Sequence, residues 1–328
     1  MNWRRHFLEE AARSPGRIVL AEGDDERVRE AAERLGRDRI AQVLLLAPAG
    51  ATIPPGVESI IVEESPLLAT FARAQRERVR RGQISEREAL AEVRDPVVFA
   101  AHLVAGGHAD GAVMGAVATT AEVLRAAIRV VGVRPGHARV SSSFVMLEPE
   151  DRPSHRMLVF SDCAVVPEPD PEALASIAAQ AVDTWSALST SPPKVAFLSF
   201  STLGSAKHAR VDRVREAHAR FRKMSPGVES GGELQLDAAL VPAIAARKAA
   251  GESVAGQANI LIFPDLDSGN IAYKLAERLG GWIALGPLLQ GLVHPIQDLS
   301  RGCSAMDIVE TVALTVLLAR TGRGAGAG

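Results

Sequence analysis

Short apolar segments typical of buried strands alternate with amphipathic helical patterns along most of this 328-residue chain. The first such pair is a strand at 17–21 and a helix at 24–35, in which apolar residues recur at helical spacing. Further strands are predicted at 41–46, 59–62, 111–114, 140–147, 157–160, 195–200, 259–263 and 282–285. This alternation predicts an α/β fold, in which helices cover both faces of mainly parallel sheets.

The length of the chain indicates two domains, because a single hydrophobic core usually stops growing near this size. Turn-forming residues concentrate at 132–137, where the sequence is Gly-Val-Arg-Pro-Gly-His. Glycine and proline are the strongest signals for turns and loops. We therefore place a domain boundary at this segment.

Charge and composition exclude several classes of protein. Lys plus Arg is 37 and Asp plus Glu is 39, a net charge of −2 that argues against a nucleic-acid-binding face. No apolar run reaches the roughly 18 residues of a membrane span, and the N-terminus does not resemble a signal peptide. Cys163 and Cys303 form neither a disulfide framework nor a metal-binding pattern. We expect a cytoplasmic protein with reduced thiols, no metal site, no membrane partner and no nucleic-acid partner.

Two loops that follow predicted strands have the composition of an anion site. Ligands of open α/β sheets lie beyond the carboxyl ends of the strands. The loop 199–207 is rich in small hydroxyl residues and precedes a helix, so it suits a phosphate group or simply caps the helix. The segment 111–120 combines a strand, a glycine turn and a helix start, with Arg125 one to two turns further on.

A third loop lies near the C-terminus and carries more varied chemistry. Ser300 supplies a hydroxyl donor beside Arg301, and a guanidinium can bind a phosphate with two parallel hydrogen bonds. Asp307 follows at the start of the last predicted helix. Ser304 and Asp307 also have the spacing of a capping box, so the residues alone leave open a purely structural role for this carboxylate.

Six segments, in order along the chain, resemble the phosphate acetyltransferase (phosphotransacetylase) family. They are LAEGDDER (20–27), FSDCAV (160–165), FSTLGSA (200–206), GELQLDAA (232–239), ANILIFPDL with GNIAYK (258–274) and DLSRGCS (298–304). The similarity extends over about residues 16–320. It identifies the chain as a member of that family.

The resemblance implies a fold and a reaction. The fold is two α/β domains of the isocitrate/isopropylmalate dehydrogenase-like superfamily, with the active-site cleft between them. Domain I comprises residues 1–136 and 288–328, and domain II comprises residues 137–287. The reaction is reversible acetyl transfer between acetyl phosphate and coenzyme A, giving acetyl-CoA and phosphate. Coenzyme A is a substrate, and neither a cofactor nor a metal takes part. Family members are generally homodimers.

The resemblance also assigns roles to residues at matching positions. Asp307 is expected to take the proton from the coenzyme A thiol, and Ser300 to steady the developing oxyanion. Arg301 is expected to position acetyl phosphate. Arg125 matches a second phosphate-binding arginine, and Arg78 matches a third by its spacing. The remaining expected substrate-binding residues are Ser201, Thr202, Ser205 and Asn270.

Elementary pKa values constrain this chemistry. A free thiol titrates near ~8.5 and a free Asp near ~3.9, so proton transfer between them is uphill by roughly 6 kcal/mol. The hypothesis therefore requires a site that reduces the difference between the pKa of the thiol and that of Asp307. It also requires the Arg301 guanidinium to face the phosphate and not Asp307, since a nearby positive charge would lower the pKa of this carboxylate. Leu203, Ala118 and Ala126 depart from the residues usual in the family, and they bear on rate and substrate preference.

Three alternative functions are compatible with parts of the sequence. One is an acyltransferase for propionyl or butyryl phosphate, since one methylene changes selectivity by only about 1–3 kcal/mol. Another is a non-catalytic acetyl-CoA-sensing module, although the matching catalytic residues are present. The third is a dehydrogenase of similar architecture, because a fold does not fix a function.

Overall fold

The structure, a computed structural model, describes residues 2–78, 84–152 and 154–324 and divides into two compact units. The first, here called the terminal unit, comprises Arg4–Pro135 and Leu292–Gly328. The second, the inserted unit, comprises Met1–Trp3 and Gly136–Gly291. Each unit is built around its own sheet.

The terminal unit contains a five-stranded sheet in which every pair of neighbours is parallel. Its strands are β1 (Arg17–Leu20), β2 (Gln42–Leu46), β3 (Glu58–Ile60), β4 (Gly111–Met114) and β11 (Ile296–Asp298), numbered in chain order through both units. Their spatial order is β11-β4-β1-β2-β3. Because the strands are parallel, the loops after Leu20, Met114 and Asp298 leave the same edge of the sheet.

The helices described in this unit are α1 (Trp3–Arg13), α2 (Glu26–Arg37), α3 (Leu68–Arg78), α4 (Glu86–Val93), α5 (Pro96–Ala105), α6 (Thr120–Ala126) and α12 (Ala305–Gly324). Of these, α2, α5, α6 and α12 contact the strands of the sheet. A 3₁₀ turn spans Val62–Glu64, and a π-helical stretch over Ala127–Val131 continues α6. Leu35 of α2 and Val312 of α12 are fully buried in one cluster with Ile18 and Leu45 of the sheet. Burial of these faces orients α2 and α12, whose first turns lie near the carboxyl edge of the sheet.

The inserted unit contains a six-stranded mixed sheet. Its strands are β5 (Ser141–Leu147), β6 (Met157–Ser161), β7 (Lys194–Leu198), β8 (Glu229–Leu234), β9 (Ile260–Ile262) and β10 (Ile283–Gln290). Their order is β10-β5-β6-β9-β7-β8. The pairs β10/β5 and β5/β6 are antiparallel, and the other three pairs are parallel.

The helices among the described residues of the inserted unit are α7 (Pro171–Leu188), α8 (Ala209–Met224), α9 (Leu236–Leu240), α10 (Pro242–Lys248) and α11 (Leu266–Arg278). Of these, α7, α8, α9 and α11 contact strands of the sheet. Met146, Ala196 and Leu261 form part of the core beneath them. The helical pattern around 238–249 is divided between α9 and α10 because Pro242, which has no backbone N–H, begins a new helix. The prediction of an α/β fold with mainly parallel sheets is confirmed.

Candidate active site

The predicted catalytic loop leaves the carboxyl edge of the five-stranded sheet. Ser300 and Arg301 follow β11 and precede α12, and both side chains are exposed. The Leu299 N–H donates to the Met114 carbonyl (2.8 Å), which continues the contact with β4. Within the loop, the Ser300 Oγ accepts a hydrogen bond from the Gly302 N–H (3.2 Å). The hydroxyl and the guanidinium are therefore displayed to solvent from a hydrogen-bonded loop.

Asp307 lies in the first turn of α12 and forms the capping box that its spacing with Ser304 predicts. Its Oδ2 accepts from the Ser304 N–H (2.8 Å) and from the Ser304 hydroxyl (2.9 Å). The Asp307 N–H in turn donates to the Ser304 Oγ (3.2 Å). Within the described residues, no hydrogen bond engages Oδ1 of this exposed carboxylate. One oxygen thus fixes the carboxylate while the other faces away from the cap.

The positive charges of Arg301 and Arg125 both act on the Glu122 carboxylate. Hydrogen bonds from the Thr119 backbone and hydroxyl hold the pKa of Glu122 below its ordinary value, and the positive charges of Arg125 and Arg301 lower that pKa further. No ion pair within 4.0 Å joins Arg301 to Asp307 in the part of the chain that the structure describes. This arrangement agrees with the expectation that Arg301 does not form an ion pair with Asp307.

Arg125 also borders a pocket of the terminal unit. The pocket has a volume of about 420 Å³. Its polar lining consists of Gln75, Glu92, Asp95, Glu122, Arg125 and Arg129. Arg125 itself is exposed on α6, one turn after the Thr119 N-cap. Its guanidinium is accessible to a ligand that approaches this face of α6.

Arg78 lies at the end of α3, and its side chain is exposed. Its charge is felt by His102, which is buried and donates from Nε2 to the Gln75 Oε1 (2.9 Å). Burial lowers the pKa of His102 to about 4, and the Arg78 charge contributes to that shift. His102 thus connects Arg78 to Gln75, which lines the same pocket as Arg125.

The glycine turn after β4 does not offer an open anion site, which corrects the expectation for 111–120. The buried Glu22 carboxylate already occupies it. The N–H groups of four successive residues donate to its oxygens at 2.8–3.0 Å: Gly115, Ala116, Val117 and Ala118. The anion that this turn binds is therefore a carboxylate of the protein itself, Glu22, which lies just after β1.

In the inserted unit, the loop after β7 is held by a buried glutamate. The Ser201 hydroxyl donates to the Glu233 Oε1 (2.8 Å), and the Gly204 N–H donates to the same oxygen (2.8 Å). Arg215 donates from Nε to the Glu233 Oε2 (2.7 Å). Burial disfavours ionisation of Glu233, but the bonds from Arg215, the Gly204 N–H and Ser201 together lower its pKa. The Ser201 hydroxyl thus helps to hold the loop in its conformation through its bond to Glu233.

The other two residues of this loop differ in exposure. Thr202 is buried, and its Oγ1 accepts from the Gln235 N–H (3.0 Å). Ser205 is exposed, and its Oγ accepts from the Thr202 N–H (2.9 Å). Leu203, which departs from the family pattern, is exposed in a left-handed conformation with φ of 45°. Of the three predicted hydroxyl residues, Ser201 and Thr202 are buried and Ser205 is exposed.

Asn270 supports a second buried carboxylate. Its Nδ2 donates to the Cys163 carbonyl (3.1 Å), next to Asp162. Asp162 accepts from the N–H groups of Ala164 (3.0 Å) and Val166 (2.8 Å), and burial nonetheless raises its pKa. The structure thus places Asn270 as a half-buried support of the loop after β6.

The sequence reasoning missed the charged residues that hold these loops in place. They are Glu22, Arg27, Asp298, Arg215 and Glu233. Four of them, all except Arg215, lie inside segments that resemble the family, but most of their partners are distant along the chain. Hydrogen bonds join Glu22 to residues more than 90 positions away, and no local pattern indicates such a contact.

The described residues contain neither a membrane-spanning helix nor a cluster of metal-binding side chains. No helix in the described ranges is long and apolar enough to cross a membrane. No group of three or more His, Cys, Asp or Glu side chains in those ranges is arranged to hold a metal ion.

Comparison with known proteins identifies the family. The family model described as Phosphate acetyl/butaryl transferase matches residues 4–316. A phosphate acetyltransferase from Paracoccus denitrificans is 47% identical over 313 residues, which is 94% of this chain and 97% of that protein. The chain therefore belongs to the phosphate acetyl/butaryl transferase family.

Solved structures agree with this assignment. A phosphotransacetylase from Streptococcus pyogenes superposes with a TM-score of 0.91 at 38% identity, covering 97% of this chain and 98% of that one. A 4-hydroxythreonine-4-phosphate dehydrogenase from Klebsiella pneumoniae gives a TM-score of 0.52 at 12% identity, covering 93% of this chain and 100% of that one. The second similarity shows the fold alone and agrees with the predicted dehydrogenase-like architecture.

Proposed function

We propose that the chain is a phosphate acetyltransferase, which catalyses reversible acetyl transfer between acetyl phosphate and coenzyme A. The observation that carries the proposal is the segment 300–307 at the carboxyl edge of the terminal sheet. It presents a hydroxyl, a guanidinium and a carboxylate within one loop and one helical turn. Near full-length similarity to phosphate acetyltransferases supports the same reaction.

In the proposed mechanism, both substrates bind together before the chemistry. The free Oδ1 of Asp307 takes the proton from the coenzyme A thiol, and the thiolate attacks the acetyl carbonyl carbon. Ser300 donates its hydroxyl hydrogen bond to the oxygen on which negative charge develops. The carbon–oxygen bond to phosphate then breaks, the electron pair leaves with the phosphate, and acetyl-CoA is formed.

The arginines supply the positive charge of the proposed site. Arg301 holds the phosphoryl group of acetyl phosphate, since a guanidinium matches phosphate geometry. Arg125 is exposed within the electrostatic reach of the same glutamate as Arg301, so it is proposed as a second phosphate ligand. Arg78 is proposed as a third. Coenzyme A is a substrate in this scheme, and no resident cofactor or metal is needed.

The part that the inserted unit plays in binding stays a prediction. Ser205 is the strongest candidate there, because it is an exposed residue, although its hydroxyl also accepts from the Thr202 N–H. Ser201, Thr202 and Asn270 are bonded internally, so their proposed contribution is to the shape of the surface that receives the substrate. The identity of Leu203 is expected to influence the rate through this surface, and that of Ala118 through the turn after β4 in the terminal unit.

The proposal includes a homodimer in the cytoplasm. On α11 and just beyond it, apolar side chains recur at a spacing of four residues and stay exposed: Ile271 at 57%, Leu275 at 52% and Leu279 at 82%. An exposed stripe of this kind is typical of an interface. A second copy of the chain is the proposed occupant, and light scattering should show a dimer that Leu275→Glu weakens. Cysteines that are free thiols suit a reducing compartment.

Thioester formation, followed at 232 nm with purified protein, coenzyme A and acetyl phosphate, tests the reaction. Rapid turnover is expected with acetyl phosphate, and propionyl and butyryl phosphate in parallel define selectivity. A folded protein without turnover on any of the three would reject the proposal. If that protein still binds acetyl-CoA, the sensing module becomes the better interpretation.

The role of Asp307 has its own test. Asp307→Asn keeps an oxygen for the Ser304 cap but removes the base, so kcat should fall strongly while both KM values stay near those of the wild type. The Ser304 contacts make a loss of the cap the main competing explanation. Circular dichroism and thermal unfolding of the variant separate the two. Near-normal turnover in Asp307→Asn would rule out the assigned base.

A further inference from the structure

We propose that Arg27 is a positioning residue for the reaction, acting as a clasp between the loop that carries Ser300 and Arg301 and the turn that leads to Arg125. This inference rests on the proposed function. Arg27 lies in the first turn of α2, next to the Asp25 N-cap. It ends the segment LAEGDDER, which resembles the family, but the local sequence does not indicate which distant groups this arginine contacts.

The guanidinium of Arg27 uses all five of its N–H donors within the terminal unit. Nη1 donates to the carbonyls of Arg301 (2.8 Å) and Cys303 (2.9 Å). Nη2 donates to the Ala116 carbonyl (2.9 Å) and to the Asp25 Oδ2 (2.8 Å). Nε donates to the Asp25 Oδ1 (3.0 Å). A guanidinium has five donors, so none is left over for a substrate.

The contacts of Arg27 link segments that are far apart in the sequence. The Ala116 carbonyl belongs to the turn that Glu22 binds through its N–H groups. That turn continues into α6 and Arg125, while the Arg301 carbonyl belongs to the loop of Ser300. Arg27 thus fixes the backbones on which both proposed phosphate-binding arginines are mounted.

The geometry of the fork makes arginine hard to replace at this position. Lysine has the same charge, but its three donors originate from one atom and cannot reach the carbonyls on two sides together with Asp25. Catalytic groups that are displaced by about 1 Å can lose on the order of 100-fold in rate. Loss of the clasp should therefore act on the chemical step more than on binding.

Steady-state kinetics of Arg27→Lys provide the first test. We expect kcat to fall roughly 10- to 100-fold, while the KM values for coenzyme A and acetyl phosphate change less than about twofold. In Arg27→Ala, guanidinium ion at a sub-denaturing concentration should restore part of the lost kcat. A rise in either KM with kcat intact would overturn the proposal and make Arg27 a substrate-binding residue.

Alkylation of Cys303 by iodoacetamide tests the clasp without any activity. The Cys303 thiol is 7% exposed and lies 4.0 Å from the Arg27 Nη1. Burial raises the pKa of this thiol, and the Arg27 charge opposes that rise. If the loop stayed in place, Arg27→Lys would leave alkylation unchanged or slower. Faster alkylation, by severalfold, is therefore expected only if the loop opens. Cys163, which is fully buried in the other unit, is the internal reference in the same mass spectrum.

Arg320 offers a matched control in the terminal unit. Its Nη2 also donates to three carbonyls, those of Glu10 (2.9 Å), Ala11 (3.1 Å) and Ser14 (2.8 Å). Arg320→Lys should leave kcat and Cys303 alkylation at wild-type values. Equal effects of the two variants, or no effect of Arg27→Lys on either readout, would refute the clasp. A wild type without thioester formation rejects the proposed function instead, and the alkylation comparison still decides the clasp.

Discussion

The burial of Asp298, at the end of β11, leads us to expect that the stability of the terminal unit depends on pH. Its side chain is 3% exposed, and its Oδ2 accepts from the Thr120 hydroxyl (2.7 Å). Among the described residues, its Oδ1 has no hydrogen-bond partner, and it is buried against Gly115, where a Cβ would lie only 2.4 Å away. Burial raises the pKa of Asp298 to about 6, and the nearby Glu22 carboxylate adds to the rise.

The sign of the effect follows from proton binding. The folded state holds the Asp298 proton up to a pH near 6, whereas the unfolded chain releases it near 3.8. Folding is therefore favoured at low pH, and this contribution is lost as the pH rises through the folded pKa. A shift of about two pK units corresponds to about 3 kcal/mol in total, of which roughly half is lost between pH 5 and 7.

Asp298→Asn isolates this contribution, because asparagine does not titrate. Amide hydrogen exchange of peptides from 111–120 and 292–304, corrected for intrinsic rates, should report the free energy of opening in this region. Tryptophan fluorescence is unsuitable, since Trp3, Trp185 and Trp282 all belong to the inserted unit. Relative to Asp298→Asn, the wild type should lose about 1.4 kcal/mol between pH 5 and 7.

The exposed Asp24, in the same unit, provides a control for the loss of one negative charge. Asp24→Asn should follow the wild-type pH profile. A constant difference between wild type and Asp298→Asn over this pH range would refute the reasoning, because it would mean that Asp298 has the same pKa in the folded and unfolded states.

Two substitutions in the inserted unit test the supports of its loops, and tryptophan fluorescence during urea unfolding measures both. Glu233→Gln should cost about 2–4 kcal/mol, because a buried carboxylate that binds Ser201 and Arg215 loses its charge, whereas the exposed Glu229→Gln should be nearly neutral. Gly269→Ala should cost about 1–3 kcal/mol, since its Cβ would lie 2.3 Å from the Asp162 carbonyl oxygen, and the unobstructed Gly227→Ala is the comparison. A stability loss no larger than that of the paired control would contradict either argument.

Strands and helices with strong patterns were predictable from the sequence. The fully buried segment 111–114 has the predicted bounds, and β5 begins one residue after its predicted start at 140. Apolar runs of this length carry their own signal, because burial on both faces of a parallel sheet requires them. The last predicted helix, with Asp307 near its start, is also found, as α12.

Elements defined by their surroundings were not predictable. The strand β11 is only three residues long and contains Gln297 and Asp298, so it lacks an apolar pattern. It becomes a strand because it pairs with β4, whose residues precede it by more than 180 positions. The same limit applies to Glu22, since a carboxylate beside a glycine in a local sequence gives no sign that four N–H groups elsewhere will bind it.

From the sequence, the capping box and the catalytic base are alternative interpretations of Asp307. In the structure, the capping box leaves one carboxylate oxygen unused, so the two roles are compatible. The cap uses only Oδ2, which accepts from both the N–H and the hydroxyl of Ser304. These bonds fix the rotamer of the side chain and therefore the direction of Oδ1. A base must be held in one orientation to collect a proton from a bound thiol, because proton transfer depends first on geometry. The cap can accordingly serve the proposed reaction by aiming the carboxylate, and the geometry of the site provides a reason for both Ser304 and Asp307.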